Sequence, residues 1–101
     1  MIITSKDNPV IKQTKKLIQN SKTRKKEGSF VAEGLRLCRD VAISKGTILT
    51  VLVTEGFLAD FPEDAQIITR DAQRVLTVSD GVLSYLSDTD TPQGVLCVCK
   101  K

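Results

Sequence analysis

The run Thr47-Ile48-Leu49-Thr50-Val51-Leu52-Val53 is apolar or β-branched throughout and carries no charge. A strand of that composition is buried on both faces, which demands a sheet with helices packed against each side. This predicts a central strand. Val95-Leu96-Cys97-Val98-Cys99 has the same character and predicts a last buried strand. Both runs fall far short of the roughly 20 apolar residues that a membrane span needs, so no membrane partner is expected.

The segments around these strands read mostly as short helices. Asn8-Pro9 is an N-cap followed by proline at the first helical position, predicting a helix to about Asn20. On it Val10, Ile11, Thr14, Leu17 and Ile18 share one face, with Lys12, Lys15, Lys16 and Gln19 opposite. The basic run Lys22-Thr23-Arg24-Lys25-Lys26 reads as a loop leading to a short strand, Ser29 to Ala32. A second helix is expected from Leu35 to Lys45, with Leu37, Cys38, Val41 and Ala42 as its apolar arc and Gly46 as its stop. Thr54 caps a single turn through Phe57, and Asp60-Phe61-Pro62 ends it. Ala65 to Ile68 reads as another short strand and Asp71 to Leu76 as a short helix; Ser79-Asp80 caps a helix through Leu83 and Leu86. Ser87 to Gly94 is polar turn material. Strands alternating with helices predict a three-layer α/β/α sandwich with a small, mainly parallel sheet.

Charge is distributed unevenly along this single domain of 101 residues. Residues 1–26 hold eight basic side chains (Lys6, Lys12, Lys15, Lys16, Lys22, Arg24, Lys25, Lys26) against Asp7 alone, a net +7, whereas the remainder sums to −4. A field localised in this way is aimed at a polyanion, and nucleic acid is the first candidate.

Catalytic chemistry has little to work with. The chain lacks histidine, which removes imidazole as base, shuttle or metal ligand. No glycine-rich phosphate loop of the dinucleotide or P-loop type occurs. Cys38, Cys97 and Cys99 leave one thiol unpaired in any disulfide scheme, which fits a reducing cytoplasm. Two thiols on one face of a strand read as core packing rather than half of a zinc site. Glu63-Asp64 and Asp88/Asp90 lie in turns, where solvated carboxylates are the rule. No catalytic, cofactor-binding or metal-binding residue is therefore expected.

Two loops stay open to either a structural or a binding role. Gly34 permits an unusual backbone angle at a helix start while Glu33 satisfies nearby amides; alternatively that strand-to-helix junction, with Arg36 one turn inside, faces a phosphate. Thr91-Pro92-Gln93-Gly94 is either a tight turn or a loop whose amide side chain reads RNA.

Taken in order, Ile3-Thr4-Ser5-Lys6-Asp7-Asn8-Pro9 with Lys12, Arg24 and Lys26 before Gly28, Phe30 with Glu33-Gly34 and Arg36, Ser87-Asp88-Thr89, and Thr91-Pro92-Gln93-Gly94-Val95 are similar to one known pattern. The chain resembles the N-terminal substrate-binding domain of the SpoU (TrmH) family of RNA 2′-O-ribose methyltransferases. The resemblance implies a fold like that of ribosomal and kink-turn-binding proteins, presenting ribosomal or transfer RNA to a knotted catalytic domain that follows it, binds S-adenosylmethionine and makes the homodimer. It implies RNA contacts at Lys6, Asn8, Lys12, Arg24, Lys26, Glu33, Arg36 and Gln93; the charge map adds Lys16 and Lys25. A chain ending within two residues of its last strand reads as a domain cut from something longer. The competing expectations are a stand-alone RNA-binding protein of the ribosomal or kink-turn kind, and a module that docks a protein or an acidic membrane surface through its lysines.

Overall fold

In the computed structural model, which describes residues 1–101, Asn8 opens the first helix, α1 (Pro9–Gln19), by accepting the Val10 N–H at 2.9 Å. Asn20 interrupts that helix with extended backbone and at once caps the next, α2 (Ser21–Glu27), accepting from the Lys22 and Thr23 amides. Gly28, in the left-handed region at φ 64°, terminates α2. There follow β1 (Ser29–Glu33), α3 (Leu35–Ile43), β2 (Ile48–Val53), α4 (Glu55–Asp60), α5 (Pro62–Thr69), β3 (Arg74–Thr77), α6 (Asp80–Leu86) and β4 (Val95–Lys100). Thr54 and Ser79 cap α4 and α6 through their hydroxyls, as their sequence positions predict.

The four strands lie in the order β1-β4-β2-β3. β2 and β4 are the interior strands, and both are buried almost end to end. Side chains alternate between the two faces, giving two separate cores. Val51, Val53, Val95, Cys97 and Cys99 pack with Cys38, Phe57, Ala65 and Ile68 from α3, α4 and α5. On the other face Leu52 and Leu96 pack with Ile11 of α1 and Val82, Leu83 and Leu86 of α6. The irregularity between Ile48 and Thr50 lets Ile48 share the face of Val51, three residues on. The expected α/β/α sandwich is therefore present.

The sheet is mixed rather than mainly parallel. β4 runs antiparallel to both β1 and β2, and only β2 with β3 is parallel. Alternation of strands and helices does not say where a last strand inserts, and here it enters the middle of the sheet in reverse. Ala65 to Ile68 belongs to α5 and not to a strand: Pro62 at the first position, with Glu63 and Asp64 in the first turn, starts a helix that buries Ala65 and Ile68 three residues apart. Asp71 to Leu76 is not a helix; Arg74–Thr77 pairs in register with Thr50–Val53. The basic run expected as a loop is α2, a helix with no buried residue.

The second predicted helix stops at Ile43, two residues early, and Leu37 projects from it 56% exposed; Leu35, Val41 and Ala42 make the partly buried arc around the fully buried Cys38. Its end is a Schellman motif in which Gly46 N–H donates to Val41 O and Lys45 N–H to Ala42 O. Lys45, not glycine, takes the left-handed position at φ 62°. Gly46 is needed for closeness instead, because a Cβ there would meet Val41 Cγ1 at 2.8 Å.

Candidate nucleic-acid interface

The exposed side of α1 carries Lys12 and Lys16, while Ile11, Thr14 and Leu17 are buried beneath it. Thr14 is accommodated in that interior because its hydroxyl donates to Val10 O at 2.8 Å. On α2, Lys22, Lys25 and Lys26 are exposed. Three basic residues in the last turn of that helix complement its dipole, which helps a helix with no apolar face to persist.

Arg24 behaves differently from its neighbours. Its guanidinium donates to Leu17 O at 2.8 Å and Ile18 O at 2.9 Å, fastening α2 across the carbonyl end of α1. Gln13 Nε2 donates to Glu27 Oε1 at 3.0 Å and ties the far end of α2 to the same helix.

A second constellation joins the start of α3 to the loop before β4. Glu33 accepts from the hydroxyl of Ser87, from Asp88 N–H at 3.2 Å and from the Thr89 hydroxyl at 3.4 Å. Gln93 Oε1 accepts the Leu35 N–H at 2.9 Å, supplying the cap that Gly34 has no side chain to provide. Gly34 (φ 93°) and Gly94 (φ 104°) are both required: a Cβ would lie 2.9 Å from Gln93 Oε1 at the first and 2.6 Å from Thr54 Oγ1 at the second. Arg36, one residue inside α3, is exposed.

The two constellations meet in a cleft of about 290 Å³ walled by Leu17, Ile18, Phe30 and Leu37, with Arg24, Glu33 and Asp88 as its polar groups. Of the ten residues expected to contact RNA, the structure brings Arg24 and Glu33 to this cleft. It places Gln93 beside Glu33 at the start of α3, Lys12 and Lys16 on α1, Lys25 and Lys26 on α2, and Lys6 and Asn8 at the opposite end of α1.

A model of the MRM3-like substrate binding domain matches residues 8–97. The chain belongs to that family. This substrate-binding domain also superposes on an rRNA methyltransferase from Sinorhizobium meliloti with a TM-score of 0.80 at 29% identity, covering 100% of this chain and 37% of that one. An RNA 2′-O ribose methyltransferase matches equally well, at TM-score 0.80 and 34% identity over 99% of this chain and 37% of its own. The SpoU methyltransferase AviRb from Streptomyces viridochromogenes, in complex with AdoMet, shares the fold at TM-score 0.73 and 20% identity, covering 92% and 35%. The domain thus spans little more than a third of the length of these structures. No curated protein matches it.

Within the substrate-binding domain the N-terminal cations lack acidic partners. The one ion pair joins Arg39 Nε to Asp64 Oδ1 at 3.3 Å, between α3 and α5 and outside the basic segment. Sequence reasoning left Lys15 and Tyr85 out of the candidate site, yet Lys15 Nζ donates to Tyr85 O at 2.6 Å and lies 4.5 Å from the centroid of its ring. Lys6 Nζ lies 4.9 Å from the same centroid. Nothing in the spacing of residues 15 and 85 announces that meeting; the only available signal was that the chain's single tyrosine sits on a capped helix.

The three thiols lie in the core between α3 and β4, all unpaired and fully buried. The neighbouring Cys38 thiol, together with burial, drives the Cys97 thiol far above its ordinary range, and burial pushes Cys99 up to about 11. Such thiols are held neutral and act as small apolar packing groups.

Proposed function

We propose that this domain binds ribosomal or transfer RNA and presents it to the knotted catalytic domain of a full-length RNA 2′-O-ribose methyltransferase working in the cytoplasm. The observation that carries this reading is a segment of eight basic side chains, none of them in an ion pair and six of them exposed, on a scaffold of the substrate-binding family. Lys12, Lys16, Lys25 and Lys26 grip phosphates, with Lys6 and Arg36 at the margins. Asn8, Arg24, Glu33 and Gln93 act by positioning: they cap α1, dock α2, hold the Ser87–Thr89 turn and cap α3, and so shape the surface that the lysines present.

The methyl donor of such a reaction is S-adenosylmethionine, and the residues here do not fit it. Gly34 and Gly94, where bare backbone would leave room for a ligand, face the domain's own Gln93 and Thr54. Cofactor and homodimer contacts belong to the catalytic domain, and titration calorimetry of this chain with S-adenosylmethionine is expected to give no binding heat.

Filter binding to structured ribosomal and transfer RNA fragments at several salt concentrations tests the reading. With about four to six phosphate contacts, log K should fall against log salt with a slope of about −3 to −5. A Lys25→Glu/Lys26→Glu pair should weaken binding to all sequences and flatten the slope by about 1 to 2, since phosphate contacts position without reading bases. Arg70→Glu, exposed on the α5 side, should change little. Salt-independent binding, or equal losses from Arg70→Glu and the α2 pair, would refute the assignment.

A further inference from the structure

Tyr85 stands apart from the other three aromatic residues. Phe57 is buried, Phe61 packs against it with ring centroids 5.2 Å apart, and Phe30 lines the apolar cleft. Tyr85 is half-buried at the end of α6, one side packed against the core cluster that includes Ile11 and Leu86 and the remainder facing Lys6 and Lys15. Its ring is therefore anchored while part of it stays accessible.

Two cations converge on that ring, and each is held there from a separate direction. Lys15 projects from α1 and spends one of its three donors on Tyr85 O, which leaves two. Lys6 lies in the short segment between two fixed points. Upstream, Ile3 bridges to Val78, with Ile3 N–H donating to Thr77 O and Ser79 N–H donating to Ile3 O, each at 2.9 Å; downstream, Asn8 caps α1. No carboxylate pairs with either lysine. Two ammonium groups around one ring repel each other, so with no ion pair at either the arrangement leaves an excess positive charge open to an external anion. Lys12 adds a further exposed ammonium one turn from Lys15 on the same helix.

An aromatic face beside uncompensated cations is the combination that captures a nucleotide: the ring stacks the base and the ammonium groups take the flanking phosphates. We propose that Tyr85, with Lys6, Lys15 and Lys12, forms a stacking platform for one unpaired nucleotide of the bound RNA. The proposal rests on the RNA-binding reading and deepens it. An incoming base displaces the exposed Lys6 side chain from the ring, and that ammonium moves to the phosphate. Bases inside a continuous duplex are already stacked and cannot use the platform, so the domain should favour a loop, bulge or single-stranded end.

Three RNA-binding measurements test the platform. Wild-type chain should bind a hairpin with an unpaired loop more tightly than a perfect duplex of equal phosphate number. Tyr85→Leu, which keeps an apolar group on the core, should lose about tenfold in affinity for the hairpin and little for the duplex, whereas Tyr85→Phe should retain both. In case the leucine variant fails to fold, photocrosslinking of a loop-substituted 5-iodouridine hairpin to the wild-type chain, mapped by mass spectrometry, gives an independent reading, and the adduct should fall on Tyr85. Absence of binding to either RNA at low salt would overturn the RNA-binding reading itself. Equal binding of hairpin and duplex, an undiminished hairpin affinity in Tyr85→Leu, or adducts confined to other residues would overturn the platform while leaving that reading in place.

Discussion

At the scale of single residues, positive charges close in sequence serve different ends. Arg24 and Lys25 are neighbours, yet one guanidinium is committed to two carbonyls of α1 and the adjacent ammonium is exposed. Hydrogen bonds from a charged donor contribute about 1.5–3 kcal/mol each where buried, and this half-buried pair should contribute less. Arg24→Ala should therefore lower unfolding free energy by about 1–2 kcal/mol in a urea titration, while Lys25→Ala should leave it unchanged within about 0.5 kcal/mol. The thiols give a second residue-scale expectation. Because Cys99 titrates higher when folded than an ordinary thiol at 9.0, its neutral form is favoured by the native state. The resulting stability is complete below about pH 9 and is lost as pH rises through about 11. At about pH 8 a chromogenic aromatic disulfide should titrate no thiol in the native chain and all of them in concentrated guanidinium.

At the scale of elements, legibility followed how local the decisive force was. Helix starts at Asn8-Pro9, Thr54 and Ser79 were readable, because a cap is an interaction between residues two or three apart. The buried strands β2 and β4 were readable from composition alone. Ala65 to Ile68 misled because a four-residue stretch, apolar except for Gln66, suits strand and helix equally, and the start signal at Pro62 had to arbitrate. β3 was hidden because Arg74–Thr77 becomes a strand by pairing with β2, and a run with Arg74 and Val75 exposed carries no buried pattern of its own. The candidate site divides in the same way: the lysines of α1 and α2 were visible as charge, but the docking of Arg24, the grip of Glu33 on residues 87–89 and the meeting of Lys15 with Tyr85 are made across the fold. Two substitutions probe elements directly. Lys45→Gly should stabilise the chain by about 1 kcal/mol in thermal unfolding, since it relieves a left-handed backbone at a non-glycine residue. Glu33→Ala should speed amide hydrogen exchange at Asp88, whose N–H loses its acceptor, with no change in the exchange of β2.

At the scale of the whole molecule, the sheet is held together by its last strand. β4 pairs with β1 through Phe30–Cys99 and its neighbours and with β2 through Val51–Cys97, and no hydrogen bond links β1 to β2 without it. Residues 29–33 therefore wait for partners almost seventy positions further along the chain. On a ribosome, the domain stays open until Val95 to Lys100 have cleared the exit tunnel; before that moment β1 and one side of β2 are bare edges able to recruit strands from other nascent chains. A truncation after Gly94 should consequently yield no cooperative unfolding transition by circular dichroism, although it keeps every basic residue of the proposed RNA surface. Placing the keystone last makes assembly of the proposed RNA surface all-or-none, so that a partly synthesised domain carries its positive charge without the shape that would direct it.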